Sequence, residues 1–274
     1  MRGRACALVL AAGGLLTALA AAACGDDSEA PAAGVGPATG NITVFAASSL
    51  TDAFTVAAKR FRELHPNAAV TFNFAASSAL AVQINEGAPA DVFASADGVQ
   101  MKTVADKGNV AGARIFATNT PVVVVPRAGS PVGSFDDLAK AGVRLVLAGP
   151  EVPIGRYSRE ILAKAGAAKG EGSEFERRVL ANLRSNETNV RAVLTKVALG
   201  EADAGIVYAT DVGAAAQDVR AIHVPAAYNV VAEYPIALTV RANNRLTAEA
   251  WVTFLLSAEG QAILAKFGFA RVAP

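Results

Sequence analysis

Ile42-Thr43-Val44-Phe45-Ala46-Ala47-Ser48-Ser49-Leu50-Thr51-Asp52 joins a strand, a turn and a helix start in one run. Ile42 to Ala46 reads as a buried strand, the small residues after it as a turn, and the residues from Leu50 onward as a helix. Strand-to-helix turns of this kind aim backbone N–H groups at one point. Ser48 and Ser49 sit where the helix begins. Either can cap it, and a hydroxyl not used as a cap is free for a ligand. No lysine, arginine or histidine lies in the turn. Whatever binds here is therefore held by dipoles and hydroxyls, not by formal charge.

Outward from this stretch the chain alternates strand and helix. Strand-like runs are Ile42–Ala46, Val70–Phe74, Val92–Ser95, Pro121–Val125, Arg144–Ala148, Gly205–Tyr208, Ala221–Val224 and Ile236–Val240. Helical spacing covers Leu50–Leu64, Ala79–Glu86, Gly98–Lys107, Phe135–Ala141, Tyr157–Ala167, Glu174–Ser185, Val190–Leu199, Leu246–Leu256 and Glu259–Phe267. In the first helix Phe54, Ala57, Ala58, Phe61 and Leu64 form the apolar face. Such alternation predicts an α/β fold with largely parallel sheets. These sheets take ligands at the carboxyl ends of their strands, which directs attention to the strand-to-helix turns.

Composition sets the limits. A length of 274 residues with 53% hydrophobic content suggests one large or two modest domains with a sizeable core. A formal net charge of +1 gives no reason to expect nucleic acid or a strongly charged partner. At the N-terminus, Arg2 and Arg4 precede an apolar run, Ala7 to Ala23, and Cys24 follows three alanines directly. Residues 1–23 read as a signal peptide. Cys24, the one cysteine left after its removal, reads first as a lipidation site that anchors the exported chain to a membrane; the alternatives are an ordinary signal peptide, which leaves a periplasmic protein, or a signal anchor left uncleaved. Residues 24–40, rich in Gly, Ala, Asp and Pro, read as a flexible tether with a reach of roughly 20 Å.

Several later turns repeat the logic of the first. Phe74-Ala75-Ala76-Ser77-Ser78-Ala79-Leu80 is again a strand, small residues, a serine pair and a helix. Two ordinary capped helices would look the same, so the pair of turns alone does not make a site. Gly149-Pro150-Glu151-Val152-Pro153-Ile154-Gly155-Arg156-Tyr157 enters a helix tightly, and Gly155 permits close backbone approach. Glu151 has no local acid or histidine beside it and reads as a surface loop residue. Thr188 or Asn189 caps the helix that starts at Val190, and Arg191 faces solvent or the domain interface. Tyr208 ends an apolar strand and is either a phenolic donor or a core residue.

Together with Gly87-Ala88-Pro89-Ala90-Asp91-Val92-Phe93-Ala94-Ser95-Ala96-Asp97, and in this order, these motifs resemble the molybdate-binding protein of bacterial molybdate ABC importers. That is a periplasmic-type solute-binding family. The resemblance spans roughly Asn41 to Ala270. It implies the type II periplasmic-binding-protein fold, with residues 41–122 and 234–274 as the first lobe and 123–233 as the second. It implies an oxyanion, molybdate or tungstate, held by the hydroxyl and N–H of Ser49 and Ser77, the N–H of Ile154 and Val190, and the hydroxyl of Tyr208. Ser48 then supports the turn. Molybdenum enters only as this oxyanion, and no cofactor is implied. At position 154 many relatives carry Ala; a backbone donor survives the change. The resemblance further implies hinge closure on the ligand, delivery to the permease of an ABC importer, and a monomer.

Other classes find less support. There is no Gly-x-Ser-x-Gly elbow, and neither His65 nor His223 has a visible serine partner. No Gly-x-x-x-x-Gly-Lys phosphate loop is present. Two histidines and one mature cysteine show no metal-ligand spacing. The nearest rival reading is a binding protein for another tetrahedral oxyanion such as sulfate.

Overall fold

The computed structural model describes residues 38–271. The signal segment, Cys24 and the first part of the tether lie outside these residues. The tether reaches less far than expected. Ala38 is buried, and the Thr39 N–H donates to Thr247 Oγ1 at 3.0 Å.

The chain opens with β1 (Gly40–Ala47), a 3-10 turn (Ser48–Leu50) and α1 (Thr51–Leu64), as the opening stretch predicts. It continues through β2 (Ala68–Ala75), α2 (Ser77–Asn85), β3 (Val92–Ala94), α3 (Gly98–Ala105) and β4 (Val110–Asn119). β5 (Pro121–Pro126), a 3-10 turn (Phe135–Ala139), β6 (Leu145–Ala148), α4 (Pro153–Ala168) and α5 (Glu174–Leu180) follow. Then come β7 (Leu183–Glu187), α6 (Val190–Ala198), β8 (Ala204–Tyr208), a 3-10 turn (Ala209–Ala215) and β9 (Val219–His223). β10 (Ala232–Thr239), α7 (Arg245–Leu256) and α8 (Ala258–Lys266) complete it.

The strands form two five-stranded sheets with matching plans, β2-β1-β3-β10-β4 and β7-β6-β8-β5-β9. In the first, β1 pairs parallel with β2 and β3, while β10 runs antiparallel to both β3 and β4. Four of the five strands therefore point one way. The second sheet repeats this with β5 as the reversed strand. Each sheet is thus mainly parallel and flanked by helices, as expected.

The crossings fall a few residues from the expected boundaries. β4 ends at Asn119 in the first sheet and β5 starts at Pro121 in the second, so Thr120 alone separates the lobes there. The return lies between His223 and Ala232, because Ala232 already pairs with Asn119. Two strands depart from the sequence-based expectation. β4 exposes four consecutive residues, bends at Gly112 (φ 65°) and meets β10 with two register shifts, so it lacks an alternating pattern. β7 begins inside the helix expected over Glu174–Ser185. It is a short edge strand, Leu-Arg-Ser-Asn-Glu, whose polar composition protects the sheet edge but hides the strand signal.

The packing follows from the apolar faces. Phe54, Ala57 and Phe61 of α1 are buried, whereas Leu64 is largely exposed and does not join that face. Trp251 of α7 meets Phe54 and Phe61 edge-on at 5.6 and 5.4 Å. Each such buried ring contributes roughly 1.5–3 kcal/mol. That fixes α1 against the sheet and so fixes where its N-terminal turn points.

Candidate functional site

Four helix starts and the end of β8 converge on one small cavity of about 10 Å³. Ser49, Ser77, Ile154, Val190 and Tyr208 all line it, with Ser48 beside them. The walls are otherwise small or apolar, including Ala47, Ala75, Ala96 and Pro153. Ser49 and Ser77 come from the first lobe and the other three from the second. Glu151 is exposed on the loop, as its sequence context suggests.

Three of the four helix starts around the cavity lack a side-chain cap. The turn at Ser48 begins from Ala47, α2 from Ala76 and α4 from Val152, and none has a side-chain cap. By contrast Asp97, Asn244 and Ser257 cap α3, α7 and α8. The expectation that Ser48 or Ser49 caps the first helix is therefore not met. First-turn N–H groups have no acceptor within the helix. At these three starts no side chain of the described residues caps them, so they remain available to a ligand. Only α6 is capped, Asn189 Oδ1 accepting from the Ala192 N–H at 3.0 Å. Gly155 in the first turn of α4 is required by packing. A Cβ there would lie 1.9 Å from the Gly149 carbonyl oxygen and 2.5 Å from that of Ala148.

Each hydroxyl has a defined environment. Ser77 Oγ accepts from the Ala96 N–H at 2.9 Å. Ser49 Oγ is 2.9 Å from the hydroxyl of Tyr234, a fully buried residue of β10. The Tyr208 hydroxyl is buried and, among the described residues, has no hydrogen-bond partner. Burial holds the phenols of Tyr208 and Tyr234 well above the usual tyrosine range, so both stay protonated and able to donate.

Charge surrounds the cavity without entering it. Arg156 Nη2 lies 3.1 Å from Asp97 Oδ2, joining α4 of one lobe to the cap of α3 in the other. Arg191 joins α6 to α1 through Asp52 at 2.7 Å, so it faces the lobe interface. Its Nε also lies 2.9 Å from Asp211 Oδ1, a charge contact whose N–H points off the hydrogen-bond axis. Asp211 in turn accepts from the Tyr208 N–H at 3.2 Å and fixes the backbone there. Burial pushes its carboxyl up to about 6, against the opposing pull of Arg191. Among the described residues no group of three or more His, Cys, Asp or Glu is placed to hold a metal ion.

Sequence reading missed Tyr234, Asn119 and the partners of both arginines. Tyr234 precedes Pro235 and lay outside the strand predicted from Ile236. A usable signal was present in the unusual capping residues: alanine or valine stands where Ser, Asp or Asn is the rule.

Comparison with known proteins adds independent findings. Residues 42–270 match the family described as bacterial extracellular solute-binding protein. The molybdate-binding protein ModA of Mycobacterium tuberculosis is 41% identical over 266 residues, covering 94% of this chain and 97% of that one. Among solved structures, the periplasmic molybdate-binding protein of Azotobacter vinelandii has a TM-score of 0.73 at 21% identity, over 85% of this chain and 99% of that one. The sulfate-binding protein SubI of Mycobacterium tuberculosis has a TM-score of 0.76 at 20% identity, over 85% and 88%. At these identities the two structures establish the fold alone, and the fold does not separate one anion from the other.

Proposed function

The chain belongs to the bacterial extracellular solute-binding proteins, in the family of molybdate-binding proteins, and from that premise we propose how its cavity holds the anion. It is a carrier, not an enzyme: it captures molybdate or tungstate outside the cytoplasm and hands it to an ABC importer. The donors are the hydroxyl and N–H of Ser49 and Ser77, the N–H of Ile154 and Val190, and the hydroxyl of Tyr208. The observation that carries this assignment is the buried, unpartnered Tyr208 hydroxyl in a cavity that all five residues line. A buried hydroxyl without a partner costs about 1–3 kcal/mol, which an anionic acceptor would recover.

Molybdate suits this donor set. It is a tetrahedral dianion with no proton to donate at neutral pH, so a site made only of donors satisfies it. Each helix start adds about half an elementary charge and about 1 kcal/mol. Sulfate is smaller and cannot reach every donor at once, whereas tungstate nearly matches molybdate in size. Donors from both lobes mean that the anion favours the closed form. Lipid attachment at Cys24 and a monomeric state complete the proposal; the lipid keeps the carrier at the membrane beside its permease.

Parallel titration with molybdate, tungstate and sulfate tests this. At 100 times Kd a ligand stabilises by about 2.7 kcal/mol, a rise in Tm of roughly 5–10 °C for a protein of this size. We expect that rise with molybdate and tungstate. Stabilisation by sulfate but not molybdate would overturn the ligand assignment. Mass spectrometry of the mature N-terminus tests Cys24.

A further inference from the structure

We infer that Tyr234, held by Asn119, is a positioning residue that fixes Ser49 as a hydrogen-bond donor and so sets the selectivity of the cavity for fully deprotonated anions. The inference rests on the proposed oxyanion site.

The direction of each hydrogen bond is set by its partners. Asn119 Oδ1 accepts from the Thr120 N–H at 2.9 Å, which orients the amide. Its Nδ2 then faces Thr210 Oγ1 at 2.8 Å and, at a long 3.5 Å, Tyr234 Oη. An amide nitrogen donates and cannot accept. Among the described residues, Ser49 Oγ is therefore the acceptor left to the buried Tyr234 O–H, at 2.9 Å. With its oxygen so occupied, Ser49 has its own hydrogen free to turn into the cavity. Ser77 reaches the same state by a different route, its oxygen taken by the Ala96 N–H. In both serines one lone pair is then taken by a fixed protein donor and the hydrogen is free to point at the anion. A protonated anion such as hydrogen phosphate needs an acceptor, and each serine oxygen has already given half of its accepting capacity to a protein donor.

The relay also sits at the hinge. Asn119 is the last residue of β4 before the first crossing, and Tyr234 lies just after the second. Thr210 belongs to the second lobe, two residues from Tyr208. The amide of Asn119 thus touches groups of both lobes, and the polarity of Ser49 depends on the hinge as well as on its own helix.

The test compares wild type, Tyr234→Phe and Asn119→Asp by calorimetric titration with molybdate, sulfate and inorganic phosphate, with circular dichroism and melting to confirm folding. Tyr234→Phe keeps the ring and frees the Ser49 lone pair. We expect molybdate to bind roughly fivefold to tenfold more weakly, and the preference for molybdate over hydrogen phosphate to narrow. Asn119→Asp offers Tyr234 an acceptor in place of a donor, drawing its hydrogen away from Ser49, and should shift the preference the same way. It answers the question if Tyr234→Phe does not fold. Unchanged affinity and preference would overturn the inference, as would an equal loss for every anion. Failure of the wild type itself to bind molybdate would instead overturn the proposed function, and the wild-type titration alone reads it out.

Discussion

The guanidinium of Arg156, in the first turns of α4, lies 3.1 Å from the carboxylate of Asp97, the fully buried cap of α3 in the opposite lobe. The pair joins the two lobes beside the cavity without lining it. Asp97 Oδ1 also accepts from the Gln100 N–H at 2.9 Å. Losing Arg156 leaves this carboxylate buried without its cation in the closed form, while opening lets water reach it. The arginine side chain is 36% exposed, so solvent screening reduces the effect to about 1–2 kcal/mol. We expect Arg156→Ala to weaken molybdate binding about tenfold, mainly through faster release. Stopped-flow dissociation measures it, and an unchanged release rate would mean that the pair does not hold the lobes together.

Tyr208→Phe separates ligand binding from folding. The hydroxyl has no partner among the described residues, so its removal should leave the ligand-free Tm unchanged or slightly higher. Hydrogen bonds to a charged group are worth about 1.5–3 kcal/mol, so affinity for molybdate should fall by at least an order of magnitude. A lower ligand-free Tm with normal affinity would count against the role given to Tyr208.

Gly155→Ala tests the seat of α4. The added methyl meets two backbone carbonyl oxygens at 1.9 and 2.5 Å, and backbone yields less readily than a side chain. The start of α4 must lift from the end of β6 and take the Ile154 N–H with it. We expect a loss of about 1–3 kcal/mol in stability together with weaker molybdate binding. Denaturant titration with and without molybdate measures both.

Asp211 makes a pH-dependent contribution. Its carboxyl is pushed up to about 6 from an ordinary 3.8. Between those values the folded state holds a proton that the unfolded state has released, so this group lowers stability as pH rises through the window. Asparagine has no such titration. The stability of Asp211→Asn relative to wild type should therefore climb from about pH 4 to about pH 6 and level off above, by on the order of 2–3 kcal/mol. The pull of Arg191 is already contained in the carboxyl's value of about 6, and any difference in packing between Asp and Asn adds an offset equal at every pH, so the slope carries the test. A flat difference across this range would show that Asp211 stays ionised.

Much of the fold was legible because it is written in short-range patterns. The run from Ile42 to Asp52 gave β1, its turn and α1 through apolar periodicity. Phe74 to Leu80 gave the second such unit. β4 was missed because its exposed run and bulged pairing depend on β10, which lies more than a hundred residues later. β7 was missed because an edge strand carries its polar residues for protection and not for packing. The five proposed donors came from the family resemblance that the order of the motifs carries. Their meeting in one cavity is a property of the fold.

The sequence by itself determined the chemistry of the cavity walls: helix starts, small residues, hydroxyls and no formal charge. It also determined mainly parallel sheets, since strand–helix units of this length assemble that way; the two-lobed plan came from the family resemblance. Only the tertiary structure decided that Ser49 serves Tyr234 and not a helix cap, that Arg191 bridges the lobes, and that Asp97 faces Arg156. These pairs are separated by 185, 139 and 59 residues. Local periodicity informs about neighbours within a turn or a strand. Contacts across such distances arise from sheet order, which sets β10 beside β3 and brings a distant tyrosine to the opening turn.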